Sequence, residues 1–388
     1  MRRQIIFYLP RCILALSILE ISFYAVSWFI PSSYYYRSPT RKQFLSYLAD
    51  DIKRTTGQDP QAGQRSPEGF RFSPAGQGLG SPCVSLYGDS MTFGAEVSDA
   101  AAWGNVLTEL LGCRVDNYGV SGYGTDQAYL DFKHRHNKAS DKAPIVILSH
   151  LSENIVRNIT QNFSLIYNDG LMLKPRFIID GDGSLRLIEK PHLSPDDWDV
   201  FVKDMRKLLQ EEFLLPDKTL LSKRRMFFPH FISVPYVFTY KRIYASMLST
   251  FGVPPWFSDL YDPKHPSQAL QITRDILSNF YKDAKQYAKT PIIFILPTSR
   301  DLIYFQKTGK WSYANLVTVL SEKGILQSLN LGPQLLERIG GGDLCDYFCT
   351  YKTTRSGHYT DKGNRVLAEV ARDAIVRLSI AQKTLHLP

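Results

Sequence analysis

Three short, mostly apolar runs set the strongest limit on what this chain can fold into: "CVSLY" at 83–87, "APIVILSH" at 143–150 and "TPIIFILP" at 290–297. Runs of this length without polar alternation, bounded by glycine, proline or polar clusters, read as strands buried on both faces. "CRVDNY" at 113–118 adds another strand. Helical periods lie between them. One places Ala102, Val106, Leu107, Leu110 and Leu111 on a single face, with Ser98 or Asp99 as its cap and Gly112 as its stop. "DQAYLDFKHRH", a stretch from Ser267 to Ala288, and a last helix from about Thr360 with Val366, Leu367, Val370, Ala374, Ile375 and Leu378 on one face continue the pattern. Strands alternating with helices imply an α/β fold with a mostly parallel sheet covered on both sides. Ligands in such sheets bind at the carboxyl ends of the strands.

The chain has 388 residues, 44% hydrophobic and 21% charged, which is the composition of a folded protein with a sizeable core. A net charge of +9 favours an anionic partner such as lipid headgroups or an acidic polysaccharide. Nucleic acid is excluded as the expected partner, because the tightest basic cluster, Lys223-Arg224-Arg225, is short and no basic run is interleaved with aromatics. Residues 5 to 30 are long and apolar enough to read as a transmembrane helix, with Trp28 and Tyr34 to Tyr36 as an aromatic belt. Arg11 and Glu20 interrupt it, and Glu20 in lipid would call for a membrane protein partner. The expected organisation is an anchor over 1–36, a linker over 37–80, and a domain over 81–388 carrying an insertion at about 165–266. That domain is expected to be periplasmic or extracellular, on a single-pass membrane protein.

The insertion opens with a hairpin pattern, "KPRFIIDGDGSLRLIEKP", turning at residues 180–183. Its aromatic stretch at 224–248, broken by Lys241 and Arg242, reads as a lid or membrane-facing excursion. Cys12 lies in the apolar span; Cys83, Cys113, Cys345 and Cys349 allow three pairings, and Cys345 and Cys349 can pair within one helical turn. No ligand spacing points to a metal, and no motif to a cofactor. Asn158 and Asn162 match glycosylation acceptors, a signal discounted here.

Polar loops follow the strands. Ser90 of "GDS" comes after the first, "NYGVSGYGTDQ" (117–127) after the second, and "SENIVRN" (152–158) after the third; "SGHYTDKGN" (356–364) precedes the last helix. A serine attacks an acyl carbon only if a base takes its proton, and His358 stands at the start of that helix. Donors for the resulting oxyanion are at hand in the backbone N–H groups of Ser90 and Gly119 and the amide of Asn154. His134, His136, His150, His230 and His265 read as structural or surface residues.

This order of blocks resembles the SGNH (GDSL-like) hydrolase family, with Ser90, Gly119, Asn154 and His358 standing for its serine, glycine, asparagine and histidine. The resemblance covers residues 83 to 160 and 290 to 380 and implies a flavodoxin-like three-layer sandwich. It implies a membrane-tethered serine esterase or acyl hydrolase acting on acyl esters, O-acetylated glycan among them. An O-acyltransferase that modifies an exported polysaccharide would use the same residues, and a catalytically silent binder of glycan or a partner is the third reading. Two departures stand out. Asn154 is flanked by Glu153 and Ile155, and the places where the family carries its acid, just before the histidine, hold Arg355 and Ser356. A Ser-His dyad is the expectation, with Asp346 as the candidate acid; Asp361 falls within the helix.

Overall fold

In a computed structural model of the chain, which describes residues 2–27, 40–54, 69–137, 141–167, 171–209, 211–215, 246–325, 328–352 and 357–382, the apolar runs lie side by side in one sheet. The strands, in chain order, are β1 (Val84–Tyr87), β2 (Val115–Asn117), β3 (Ile145–Leu151), β4 (Arg176–Ile179), β5 (Leu185–Ile188), β6 (Thr290–Leu296) and β7 (Ser328–Asn330). Five of them form an all-parallel sheet in the order β2-β1-β3-β6-β7. Successive side chains on a strand point to opposite faces. Leu86, Ile147 and Phe294 accordingly enter a core with Trp103, Leu107, Leu367 and Ala371, whereas Tyr87, Val146, Leu148 and Ile293 enter a second with Phe132, Ile276, Leu277 and Phe280. Two apolar faces need two helical layers, so the expected three-layer α/β arrangement is present.

The flanking helices differ from expectation mainly at their ends. Helix Trp103–Leu111 starts after Ala102, which offers no side-chain cap, and stops at Gly112 at φ 68°. Asp99 pairs with Arg71 instead of capping that helix. Helix Ala269–Gln286 and the last helix, Asp361–Gln382, fall where the pattern placed them. Strand β7 and helices Ser299–Thr308, Ala314–Glu322 and Gly332–Ile339 were not marked out by apolar runs.

The stretch read as a linker is in part built into the fold. Residues Arg41–Arg54 form a helix whose Phe44 and Tyr47 are buried against Leu171, Leu173, Phe201 and Leu209 of the insertion, because an aromatic pair three residues apart shares one helical face. Arg71 N–H donates to Asn117 O at 2.8 Å, so the chain joins the sheet edge well before residue 81. The hairpin forms as expected, with β4 antiparallel to β5 and Asp180 N–H donating to Ser184 O at 2.9 Å. Disulfides join Cys83 to Cys113 and Cys345 to Cys349. Asn158 and Asn162 are fully buried and serve as hydrogen-bonding residues, not as glycan acceptors.

The expected span at 5–30 is helical over Arg2–Ser27. Among the described residues, no helix is long and apolar enough to cross a membrane. The Lys223-Arg224-Arg225 cluster, His230, Lys241 and Arg242, and with them most of the aromatic excursion, lie outside the described residues, as do Arg355 and Ser356.

Candidate active site

Ser90 opens a single helical turn, Ser90–Phe93, directly after β1. Asp89 caps the turn, its carboxylate accepting from Met91 N–H at 2.9 Å and Thr92 N–H at 3.4 Å. Gly94 ends it in the left-handed conformation at φ 79°. Ser90 is 6% exposed, and no described residue hydrogen-bonds its hydroxyl or its backbone N–H.

Gly119, after β2, rests on that turn. A Cβ there would lie 2.4 Å from Phe93 N and 2.8 Å from the Thr92 carbonyl carbon, so only glycine allows the approach. Val120 N–H donates to Gly88 O at 3.1 Å and Asn117 Nδ2 to Thr92 O at 2.7 Å, which ties this loop to the serine turn. The Gly119 N–H itself donates to Asn117 Oδ1 at 2.9 Å. It would serve an oxyanion only by sharing or exchanging that bond.

Asn154, after β3, begins the turn Asn154–Arg157. It is fully buried, and neither its Oδ1 nor its Nδ2 has a hydrogen-bond partner among the described residues. An unpaired buried polar group costs about 1–3 kcal/mol, so the amide is available to bond a ligand or an ordered water. In the same turn Arg157 Nη1 lies 3.7 Å from Asp89 Oδ2, which sets the asparagine turn against the residue preceding Ser90.

A buried polar network fixes the approach to Asn154. Ser152 Oγ donates to Asp301, the N–H and hydroxyl of Thr298 donate to the same carboxylate at 2.7 and 2.6 Å, and Tyr261 Oη donates to Ser152 O at 2.6 Å. Burial pushes the Asp301 carboxyl up, against the pull of those hydrogen bonds. His150 touches Thr125 Oγ1 at 2.7 Å through Nδ1 and Tyr261 Oη at 3.0 Å through Nε2. Because the Tyr261 hydrogen goes to Ser152 O, His150 Nε2 donates and Nδ1 accepts, which is a neutral imidazole. Burial pushes its pKa down to about 3. His150 is therefore a structural residue, as expected.

His358 lies three residues before Asp361, the first residue of the last helix. Gly357, at φ 105°, has no room for a Cβ, which would sit 2.0 Å from Thr350 Oγ1; that hydroxyl accepts from His358 N–H at 3.0 Å. The helix start is pinned to the serine segment, since Trp103 N–H donates to Asn364 Oδ1 and Trp103 Nε1 to Met91 O, both at 3.1 Å. The structure thus gathers Ser90, Gly119 and Asn154 at the carboxyl ends of β1, β2 and β3 and brings the His358 loop to the same edge. No described hydrogen bond joins the His358 ring to Ser90.

The side chain beside that ring is Glu96, which the sequence did not single out. His358 Nδ1 is 3.1 Å from Glu96 Oε1, without the alignment of a full hydrogen bond. Tyr351 Oη donates to the same oxygen at 3.1 Å. Burial pushes the Glu96 carboxyl up, but its polar contacts with Thr350, His358 and Tyr351 hold it below the usual carboxylate range. Glu96 has φ 68°, a left-handed conformation that costs a residue with a Cβ about 1–2 kcal/mol. Asp346, the candidate acid, is partly exposed and paired with Lys352 Nζ at 2.8 Å. Asp361 opens the last helix, as anticipated.

No family model and no curated protein matches the chain. Among solved structures, it is similar to a member of the lipolytic protein G-D-S-L family from Veillonella parvula DSM 2008, at 11% identity and a TM-score of 0.35 over 76% of this chain and 98% of that one. It is likewise similar to a GDSL-like lipase from Bacteroides thetaiotaomicron VPI-5482, at 11% identity and a TM-score of 0.33 over 76% of this chain and 88% of that one. Superpositions this partial leave the reading of the site to its own geometry.

Proposed function

We propose that the chain is a serine esterase acting on acyl esters, O-acylated glycan being the substrate class that suits its positive charge. The observation that carries this reading is the buried, unpaired Asn154 amide beside the serine turn. In the proposed reaction Ser90 Oγ attacks the acyl carbon and its proton passes to His358 Nε2. The Ser90 N–H and Asn154 Nδ2 meet the charge on the former carbonyl oxygen. Collapse of the tetrahedral species breaks the ester C–O bond, and the leaving alcohol takes the proton from His358. Water, deprotonated by the same imidazole, then releases the acid and restores Ser90. A sugar hydroxyl in place of that water would make the enzyme an O-acyltransferase.

Two observations support a site outside the cytoplasm with the N-terminal helix held at the membrane. Two disulfides suit an oxidising compartment. Ile13, Leu14, Leu16, Ile18, Leu19 and Ile21 are each at least 40% exposed and face all round the helix, a distribution that favours burial in lipid.

The test is fluorophosphonate labelling of the full chain, followed by peptide mapping and by hydrolysis of an acetylated oligosaccharide with and without a deacetylated acceptor. Labelling at Ser90 with acetate release is the expected result. Labelling at another residue would overturn the reading, and acetyl transfer to the acceptor in preference to water would make the enzyme a transferase.

A further inference from the structure

We propose that Glu96 is the carboxylate that positions His358, delivered by the loop that follows the nucleophile instead of by the residues before the histidine. The proposal rests on the serine-esterase reading above. Its first support is the 3.1 Å approach of Glu96 Oε1 to His358 Nδ1. Catalytic hydrogen bonds are often imperfectly aligned before substrate binds and tighten afterwards.

The backbone supplies the second support. Glu96 is one of three non-glycine residues at positive φ among the described residues, and such strain persists only where surrounding structure over-determines it. Here the surrounding structure is Arg71, itself 5% exposed. Its guanidinium donates to the carbonyls of Phe93, Gly94 and Val97 and to Asp99 Oδ1, gripping the loop on both sides of Glu96. Ala95 N–H also donates to Ser90 O at 2.9 Å, so the grip locks Glu96 to the nucleophile's own turn. One short loop would thereby carry both the nucleophile and the group that orients its base.

In the proposed arrangement His358 Nδ1–H donates to Glu96, which leaves the Nε2 lone pair for the Ser90 hydrogen. When Nε2 takes that proton, the imidazolium lies against a carboxylate that stays ionised throughout, so no proton moves to Glu96. Besides the pair itself, Tyr351 is the titratable side chain in contact with it among the described residues, on Glu96; Arg71 holds the loop's carbonyls and Asp99. Asp346 is engaged with Lys352.

The experiment compares hydrolysis of p-nitrophenyl acetate by the full chain and by Ser90→Ala, Glu96→Gln, Glu96→Asp and Glu96→Gly. Glu96→Gln is expected to lower kcat/KM by roughly 10²- to 10⁴-fold, the upper figure being the cost of the matching exchange in a serine-protease triad. It is also expected to move the acid limb of the kcat/KM profile to lower pH, because the charge favouring an imidazolium is gone. Glu96→Asp should recover part of the activity. Glu96→Gly suits the positive φ, so it should keep or raise Tm while losing activity as the Gln variant does, which separates the loss from any failure to fold. Activity of Glu96→Gly or Glu96→Gln within about threefold of wild type, or a loss with the acid limb unmoved, would overturn the proposal. The esterase reading fails separately, if Ser90→Ala matches wild type or if wild type neither hydrolyses the ester nor takes the fluorophosphonate label. Inactive Ser90→Ala beside active Glu96 variants would remove only the role of Glu96.

Discussion

At the scale of single residues the candidate site turns on two amides whose partners are unequal. Asn154 has a buried amide with no described partner, whereas the N–H of Gly119 is already taken by Asn117. The asparagine is thus expected to be the stronger oxyanion donor. Asn154→Ala should cost roughly 10²–10³ in kcat with KM nearly unchanged, since the bond forms only to the charged oxygen. Steady-state kinetics on an acetyl ester check this, and a rise in KM at normal kcat would make Asn154 a substrate-binding residue. Asn117→Ala should cost less, because it frees the Gly119 N–H while removing a brace on the serine turn. The placement of Ser90, Gly119, Asn154 and His358 was legible in the sequence because the first three follow strands, and the last precedes a helix, that the apolar pattern marks. Glu96 was not legible. It is an ordinary acid in a polar loop, and only the folded chain brings it to a histidine more than 260 residues away, a distance in sequence that no local pattern encodes.

Among the elements, the strands were readable because β1, β3 and β6 are buried on both faces and are therefore mostly apolar, with Ser85, Ser149 and His150 as buried polar exceptions. Strand β7 lies at the sheet edge, is three residues long and is only half-buried, so its "SLN" carries no such signal. The helix over Arg41–Arg54 was hidden for a different reason: its apolar face is just Phe44 and Tyr47 with their neighbours, inside a polar stretch that composition alone assigns to a linker. Two predictions belong here. Gly119→Ala would drive a Cβ to 2.4 Å from the Phe93 nitrogen, a backbone contact that no side-chain rotation relieves. It should destabilise the fold by about 1–3 kcal/mol and displace the serine turn, seen as a lower urea midpoint together with lost esterase activity. The Cys83–Cys113 disulfide closes a loop of 30 residues that contains the serine turn and the helix Trp103–Leu111. Paired replacement by serine should lower unfolding free energy by about 2–4 kcal/mol, and an unchanged urea midpoint would show the bridge to be dispensable.

Across the whole molecule, a buried histidine beneath the candidate site contributes to how stability depends on pH. His150 is fully buried and neutral, with a pKa pushed down by burial to about 3 from 6.5. Below pH 6.5 the unfolded chain binds a proton at this histidine that the folded chain refuses until about pH 3, so the unfolded state gains. The stability contributed by neutral His150 is therefore complete above pH 6.5 and declines across that window, with a slope of about 1.4 kcal/mol per pH unit. Asp301 and Glu212 act in the opposite direction, since burial raises both carboxyls and lets the folded chain bind protons first. A bare pH curve mixes these terms, and the informative measurement is a difference. Urea unfolding of wild type and His150→Gln at pH 7.5, 6.0 and 4.5 should show the variant less stable at neutral pH, where it loses the contacts to Thr125 and Tyr261, yet less sensitive to acid. Parallel curves would mean that the histidine titrates alike in both states. If the domain works outside the cytoplasm, as proposed, it meets external pH directly. The same network holds Ser152, two residues before Asn154, so the acid tolerance of the fold is tied to the segment that carries the proposed oxyanion donor.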